Sequence, residues 1–487
     1  SHLRQLWRLG RELYRASRTY GWPFRNRSLA GYTSGQTATS EHRRNDQHKR
    51  ILKWLNREAV LESIVRDGRT IRNGNRLIQA LANPLRSMSL RILFVVQGEG
   101  RGHMTQALAL APILRKAGHE VVATLVGRSH RGIPPFFSEK IGSPIHEFDS
   151  PTFVMDKGQR SVMLGPTIRQ NLKLIPSLRE SFDLFDRIIE QEKPDVIVSF
   201  FEVMAGLYNH FREPRIPMVA VGHQYMFHHP AYPFPRDSTS DRMGARTFVS
   251  LSALGAARRL ALSFYPAPAH GEQNIRVVPP LLRPELFDQP TDIEEDFILI
   301  YLLNSGYAAD VKRWHAANPD IRLECFWDRK NVEAIEHYTD NLTFHTLHDT
   351  KFLSMMARCR GLVCTAGFES ISEALYLDKP VLAVPVEGHF EQYCNALDAV
   401  AYGAGTWNKT FDLSHLISYL PKHRSTASNV FKSWLEAAEE IFLEEIEAAA
   451  EGPLPSRKRR LLRHLRARRK KRSARTMTPT ASKREKA

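Results

Sequence analysis

Four cysteines are few for 487 residues, and Cys325, Cys359, Cys364 and Cys394 all fall in the later half with no Cys-x-x-Cys pair. That usage argues against a disulfide framework and against zinc, and suits reduced thiols in a cytosolic protein. Long apolar runs are missing as well. No stretch approaches the roughly 18 apolar residues needed to span a bilayer, and the first residues carry no apolar segment of the signal-peptide kind. The central part of the chain also lacks an Asp-x-Asp pair of the type that holds a divalent metal. What remains is ample material for a core. Hydrophobic residues make up 42% of the chain, and the length allows two or three domains.

The net charge of +17 is unevenly placed. Residues 1–87 hold 18 Lys/Arg against 6 Asp/Glu, and residues 456–487 hold 15 against one. The stretch between them carries 36 basic and 45 acidic residues, so the globular part is mildly acidic. A nucleic-acid-binding fold carries its positive charge on the folded body, and this balance argues against such a partner. The run from Arg457 to Arg472, with three leucines among its cations, reads as a solvated, disordered face. It is also drawn to anionic lipid head groups, each basic residue near the surface contributing about 1 kcal/mol. Nucleic acid would attract it equally. Residues 1–87 lack a sustained apolar period, although Ile51-Leu-Lys-Trp-Leu55 is amphipathic. They are expected to be a disordered or non-native extension, translated from upstream of a start at Met88.

From Arg91 onward, short β-branched runs alternate with helical patterns. Strands are expected at 91–96, 120–126, 195–200 and 218–221, with helices at 104–117 and 172–192. The proline-stiffened Val277-Val-Pro-Pro-Leu-Leu-Arg-Pro284 then links to a second series. There strands are expected at 297–303, 323–327, 361–364 and 381–385, and helices at 310–318, at 370–377 and from 392. This alternation implies βαβ units and an α/β fold of two doubly wound, Rossmann-like domains, 88–284 and 285–425. A long acidic-faced helix at 431–450, within a segment 426–455, precedes the basic tail.

Ligands of open α/β sheets sit beyond the carboxyl ends of strands, where loops meet helix N-termini. Gly98-Glu-Gly-Arg-Gly-His103 occupies such a place after the strand 91–96. Glycines let a ligand approach the backbone and leave amides free for negative charge. The spacing is Gly-x-Gly-x-Gly and not the dinucleotide Gly-x-Gly-x-x-Gly, and the second strand ends in Leu125-Val-Gly-Arg128 without a ribose-binding acid. NAD is therefore disfavoured, with NADP through Arg128 a minor option. The second loop is Cys364-Thr-Ala-Gly-Phe-Glu-Ser-Ile-Ser-Glu373. Gly367 lets the backbone turn, Ser370 falls near a helix N-terminus where hydroxyl and amides suit a diphosphate, and Glu373 one turn on can accept from ribose hydroxyls. Glu391-Gln392 follow the next strand with a carboxylate and an amide suited to a sugar.

That order resembles the donor-binding box of nucleotide-sugar glycosyltransferases of the GT-B fold. Thr365-Ala-Gly-Phe-Glu-Ser-Ile-Ser-Glu373 is similar to the His-x-Gly-x-x-Ser-x-x-Glu of the UDP-glycosyltransferases, and Glu391-Gln392-x-x-Asn395-Ala396 to their Asp/Glu-Gln-x-x-Asn-Ala. The loop at Gly98–His103 resembles that of the lipid-II-forming N-acetylglucosaminyltransferase. Thr365 stands where the box has histidine; its hydroxyl can still bind phosphate. The resemblance implies that Thr365, Gly367 and Ser370 hold the diphosphate, Glu373 the ribose, and Glu391 with Gln392 the transferred sugar, while Asn304 and Gly306 close over the phosphates. It implies an acceptor domain with Gly98, Gly100 and Gly102 at its floor. Glu202 and His223, which end two strands there, would line the acceptor cleft. Helix dipoles and amides can stabilise the departing nucleotide, so neither a metal nor a cofactor is required; the nucleotide-sugar is a substrate.

His103 at the rim could take a proton from an acceptor hydroxyl near neutral pH, or could cap its helix or bond a neighbouring carbonyl. Glu373 could otherwise be a surface acid, and Glu391 could pair with a lysine. Trp314 and Trp327 read as core. The implied activity is inverting transfer of a sugar, from a UDP-sugar, to a lipid-linked or small-molecule acceptor, in the cytoplasm or at the inner face of the membrane in cell-envelope synthesis. A nucleotide-sugar epimerase and a non-catalytic sugar-nucleotide scaffold are the rivals.

Overall fold

The computed structural model describes residues 89–129, 132–150, 177–235, 238–291, 293–302, 305–329 and 333–452. The expectations for 1–87, for 456–487 and for Asn304 lie outside the described residues.

The first sheet is built of β1 (Arg91–Val96), β2 (Glu120–Arg128), β3 (Ile145–Asp149), β4 (Val196–Phe200), β5 (Met218–Val221), β6 (Arg258–Leu262) and β7 (Ile275–Val278). All neighbours pair in parallel, in the order β3-β2-β1-β4-β5-β6-β7. The second contains β8 (Ile298–Leu302), β9 (Leu323–Trp327), β10 (Ile335–Thr339), β11 (Leu342–Thr346), β12 (Gly361–Cys364), β13 (Val381–Ala383) and β14 (Gly405–Trp407). Its order is β10-β11-β9-β8-β12-β13-β14, parallel except for β10. Central strands are apolar on both faces because helices cover both: every residue of Ile92–Val96 and Leu362–Cys364 is buried. The strand order reverses between β1 and β4 and again between β8 and β12. Those switch points open the crevices where loops can hold a ligand, and both chemistry-bearing loops lie there, one after β1 and one after β12.

The helices are α1 (Arg101–Lys116), α2 (Pro135–Lys140), α3 (Ser177–Glu192), α4 (Val203–Phe211), α5 (Thr239–Ser252), α6 (Pro284–Phe287), α7 (Ala308–Ala316), α8 (Asp349–Arg358), α9 (Phe368–Tyr376), α10 (Phe390–Tyr402), α11 (Ser414–Tyr419), α12 (Thr426–Leu435) and α13 (Ala438–Glu451). The single helix expected at 431–450 is in fact two, broken between Leu435 and Ala438. The second, α13, returns to the first sheet, whereas α12 packs against α9 and reaches the first lobe through Trp434. Trp434 Nε1 donates to the Ser263 carbonyl at 3.1 Å, Arg258 bonds Glu445 at 3.1 Å, and His119 bonds Glu447 at 3.0 Å. Three acids of that face, Glu439, Glu445 and Glu447, are thus spent on the first lobe. The helix expected from 104 begins at Arg101, so Gly102 lies in its first turn. Strands β3, β6, β7, β10, β11 and β14 were not anticipated; each is at or beside a sheet edge. Val277 and Val278 belong to β7, which shortens the link to 279–283.

One apolar cluster runs through both lobes, from Ile92 and Phe94 to Ile371 and Phe442, so the lobes share a core at their junction. A second fills the far face of the second sheet and includes Trp327, with Trp314 packed against it. The four cysteines are buried and unpaired. Among the described residues no helix is long and apolar enough to cross a membrane.

Candidate functional site at the junction of the lobes

The three glycines after β1 have three different reasons to be glycine. A Cβ on Gly98 would overlap the backbone carbonyl of Gly127 at the end of β2, so Gly98 lets two strand ends close together. A Cβ on Gly102 would run into the carboxylate of Glu369, which reaches over from α9 in the other lobe. Gly100, the N-cap of α1, has open space around it among the described residues. Helix α9 likewise opens on a glycine N-cap, Gly367. Two helix N-termini therefore meet where the lobes join, which brings their partial positive charges together.

His103 is buried in the first turn of α1, its ring stacked on Phe201 with centroids 5.5 Å apart. Phe201 has a φ of +57°, a conformation costly for a bulky residue, and it directly follows β4. Burial pushes His103 down to about 4, so the imidazole is neutral at physiological pH. Its Nδ1 lies 3.4 Å from Gln106 Oε1, one turn along α1. Gln106 is itself buried, and its Nε2 donates to Glu369 Oε1 across the lobes. Burial pushes Glu369 up to about 7, with the Gln106 bond pulling the other way and the Glu373 charge adding to the rise.

The loop before α9 is held in a left-handed turn at Ala366, φ +55°, whose carbonyl accepts from Asn395 Nδ2 at 3.2 Å. Thr365 and Ser370 are buried beside Gly367. Glu373 is buried on the hinge side of the gap. Its Oε1 accepts from Arg283 Nε at 2.7 Å and from Arg283 Nη2 at 2.7 Å. Arg283 belongs to the link between lobes and also bonds Asp349, which Lys140 reaches at 3.0 Å. Burial raises Glu373 while Arg283 lowers it. Glu391 does not pair with lysine; it accepts at 2.9 Å from Gln224 Nε2 of the first lobe. Burial lifts it to about 7, and the nearby Glu369 charge adds to the rise. Gln392 uses Oε1 to accept from the Val386 amide at 2.8 Å, which leaves its NH2 as the outward donor. Gly306 lies in a short turn, Ser305–Tyr307, after β8.

Glu202 and His223 are interior groups. Glu202 caps α4, with Oε1 accepting from Ser150 Oγ at 2.7 Å and the Met204 amide at 2.9 Å, and burial pushes it up to about 7. His223 stacks on Phe368 of the other lobe with centroids 4.0 Å apart, and its Nδ1 donates to the Leu262 carbonyl at 2.7 Å. Its Nε2 faces Asp398 Oδ2 at 3.9 Å, while Tyr265 donates to Asp398 Oδ1 at 3.0 Å. The structure thus brings Gly102, His103, Glu391 and His223 to contacts between the lobes, ties Glu373 to the link, keeps Ser370 and Gln392 within the second lobe and sets Glu202 inside the first. Sequence reasoning missed Gln106, Glu369, Arg283, Gln224 and Asp398. For Gln106 a signal existed, its place one turn from His103 on the same helix face. The others take their meaning from partners in the opposite lobe or the link.

Two Rossmann-like sheets joined by a short link, with the last described helix returned to the first, make this a GT-B glycosyltransferase fold. Residues 90–422 match the family described as glycosyl transferase family 1, and the chain belongs to it. An uncharacterised glycosyltransferase of Methanosarcina acetivorans is 26% identical over 339 residues, covering 64% of this chain and 83% of that protein. Among solved structures, Arabidopsis thaliana UGT89C1 complexed with quercetin covers 74% of this chain and 100% of its own, at 14% identity and a TM-score of 0.52. The glycotransferase of kitacinnamycin gives 16% identity and a TM-score of 0.51 over the same shares. At such identities the likeness concerns the fold.

Proposed function

We propose that this glycosyltransferase moves a sugar from a nucleoside-diphosphate donor, a UDP-sugar, to an acceptor hydroxyl, with inversion and without a metal or other cofactor. The observation that carries the reading is the meeting of α1 and α9, each opening on a glycine N-cap, in the gap between the lobes. Amides and dipoles at two such ends favour an anion, and the departing nucleoside diphosphate is the charge that develops during transfer. In this reading Thr365, Gly367 and Ser370 hold the diphosphate, with Asn304 and Gly306 closing over it. Glu373 offers the ribose the oxygen that Arg283 does not engage. Glu391 and the NH2 of Gln392 take the sugar.

The first lobe takes the acceptor, lipid-linked or small, over the floor made by Gly98, Gly100 and Gly102, with Glu202 and His223 supporting that side from behind. His103 is the base: a neutral imidazole beside the gap can accept the proton of the attacking hydroxyl. Attack from the lobe opposite the donor inverts the anomeric carbon. The basic segment 456–487 would hold the enzyme at an anionic membrane, on the cytoplasmic face.

A thermal-shift panel of UDP-, GDP- and TDP-sugars tests the reading. A UDP-sugar at 100 times its Kd stabilises by about 2.7 kcal/mol, and the shift should persist in EDTA. A nucleotide-sugar converted without any acceptor would mark an epimerase. No response to any nucleotide would overturn the reading in favour of a scaffold.

A further inference from the structure

The amide of Gln106 stands between two groups that read it from opposite ends. Its Nε2 donates to Glu369 Oε1, and its Oε1 faces His103 Nδ1 at 3.4 Å. An ionised carboxylate can only accept, so it dictates which end of the amide turns towards it. The carbonyl end is then left for the imidazole, and a carbonyl oxygen can only accept in its turn. His103 must meet it with Nδ1–H, which places the ring's lone pair on Nε2. We propose that Gln106 and Glu369 are positioning residues that fix the tautomer of His103, with the deciding carboxylate supplied by the opposite lobe. The inference rests on the base role proposed for His103 and adds to it a condition: the base is set only when α9 lies against α1.

The surroundings favour this assignment. Glu369 is half-buried, and the groups facing it are the Gln106 amide, the Glu373 carboxylate on its own helix and the Glu391 carboxylate on α10. Neither carboxylate can donate to it when ionised, and the Arg283 guanidinium is engaged by Glu373 and Asp349. Phe201, stacked on the imidazole, holds the ring in the plane that meets Gln106. Were the amide reversed, its NH2 would point at His103 and select the other tautomer. Nε2 would then carry hydrogen and could take no proton. Tautomer control of this kind decides turnover in the serine-protease triad, where the orienting acid acts directly on the histidine; here the amide intervenes.

The test reads the tautomer itself. In full-length protein labelled with 15N-histidine at pH 8.5, where Glu369 is ionised, the ring nitrogens of His103 are identified by their loss in His103→Ala. The wild type should show Nδ1–H over Nε2–H by at least about tenfold, equivalent to one hydrogen bond's worth of about 1.4 kcal/mol. Glu369→Gln, nearly isosteric, should bring the ratio towards one, because a second amide no longer dictates the direction of the first. Gln106→Met should do the same, and the double variant should lose no more than Gln106→Met alone, since the two act in series. An Nε2–H tautomer in the wild type would overturn the proposal, as would a ratio unmoved by Glu369→Gln or additive effects in the double variant. The readout needs no donor or acceptor. If His103→Ala were to retain transfer while the ratios move as stated, the base assignment falls and the tautomer control stands.

Discussion

Replacing Asp398 by asparagine should stabilise the protein at alkaline pH and do little at acid pH. In the seam between the lobes Asp398 is fully buried; Tyr265 donates to Oδ1, and Oδ2 has no hydrogen-bond partner among the described residues. His223 Nε2 lies 3.9 Å from Oδ2, and that nitrogen is an acceptor because Nδ1 already donates to Leu262; the Tyr232 hydroxyl donates to it at 3.4 Å. His223 therefore offers Oδ2 no hydrogen, and burial pushes the carboxyl up from its ordinary 3.8 to about 7. A carboxyl raised in the folded state costs nothing while both states are protonated. The cost grows as pH climbs through the unfolded value and is complete above the folded one. The gap from 3.8 to about 7 corresponds to about 4 kcal/mol, of which roughly 3 develops between pH 5 and pH 8. The amide of Asp398→Asn keeps an acceptor for Tyr265 and turns a donor towards His223, without charge at any pH. Urea unfolding at pH 5 and at pH 8 measures the difference, since every other titrating group is common to both proteins. The variant's advantage should widen by roughly 3 kcal/mol at the higher pH. An advantage equal at both values would refute the argument that the buried charge is what the seam resists.

His103→Ala should lower kcat by about 10²- to 10⁴-fold while leaving UDP affinity, read by calorimetry, within twofold; a matching loss of affinity would make it a binding residue. Gly98→Ala should destabilise more than Gly102→Ala. The first Cβ meets a backbone carbonyl that cannot swing away and the second meets the end of a side chain, and overpacking of this sort costs about 1–3 kcal/mol in thermal melts. Turnover should reverse that order, because only Gly102 abuts Glu369; equal activity in both would break the link between α1 and α9. Glu373→Ala should abolish measurable UDP binding and, by leaving Arg283 with only Asp349, cost up to about 3–5 kcal/mol. Glu373→Gln should recover part of the stability without the affinity, and unchanged UDP affinity in either would remove Glu373 from the ribose site.

The parts of this molecule legible in the sequence are those written locally. The strands Met218–Val221, Leu323–Trp327 and Gly361–Cys364 fall where short, mainly apolar runs place them, and the loops after β1 and β12 announce themselves by glycine before a helix. Edge strands such as Ile335–Thr339, almost wholly exposed, have no apolar face to read. The glycines were legible as glycines but not in their reasons: Gly98 answers to Gly127 and Gly102 to Glu369, partners far along the chain. His103 was read from its ordinary titration range, whereas burial moves it well below that range. Helices α12 and α13 show one periodicity because the bend between them keeps the same face inward.

What no local pattern could reveal is the logic of the seam. Away from the hinge three carboxylates of the second lobe, the half-buried Glu369 and Glu391 and the buried Asp398, each accept from a neutral donor of the first, Gln106, Gln224 and Tyr265. Among the described residues no cation repays their desolvation, and each is pushed up to about 7. Drawing the lobes apart would return three carboxylates to water, which offsets part of the apolar surface exposed by the same movement. At the hinge the chemistry is opposite: Arg283 and Lys140 supply cations to Glu373, Asp349 and Glu285. One edge of the gap is thus tied by ion pairs while the other is closed by contacts whose separation is partly repaid in hydration. That asymmetry is what a two-lobed transferase needs if donor and acceptor are to enter on one side while the link between the lobes keeps its register.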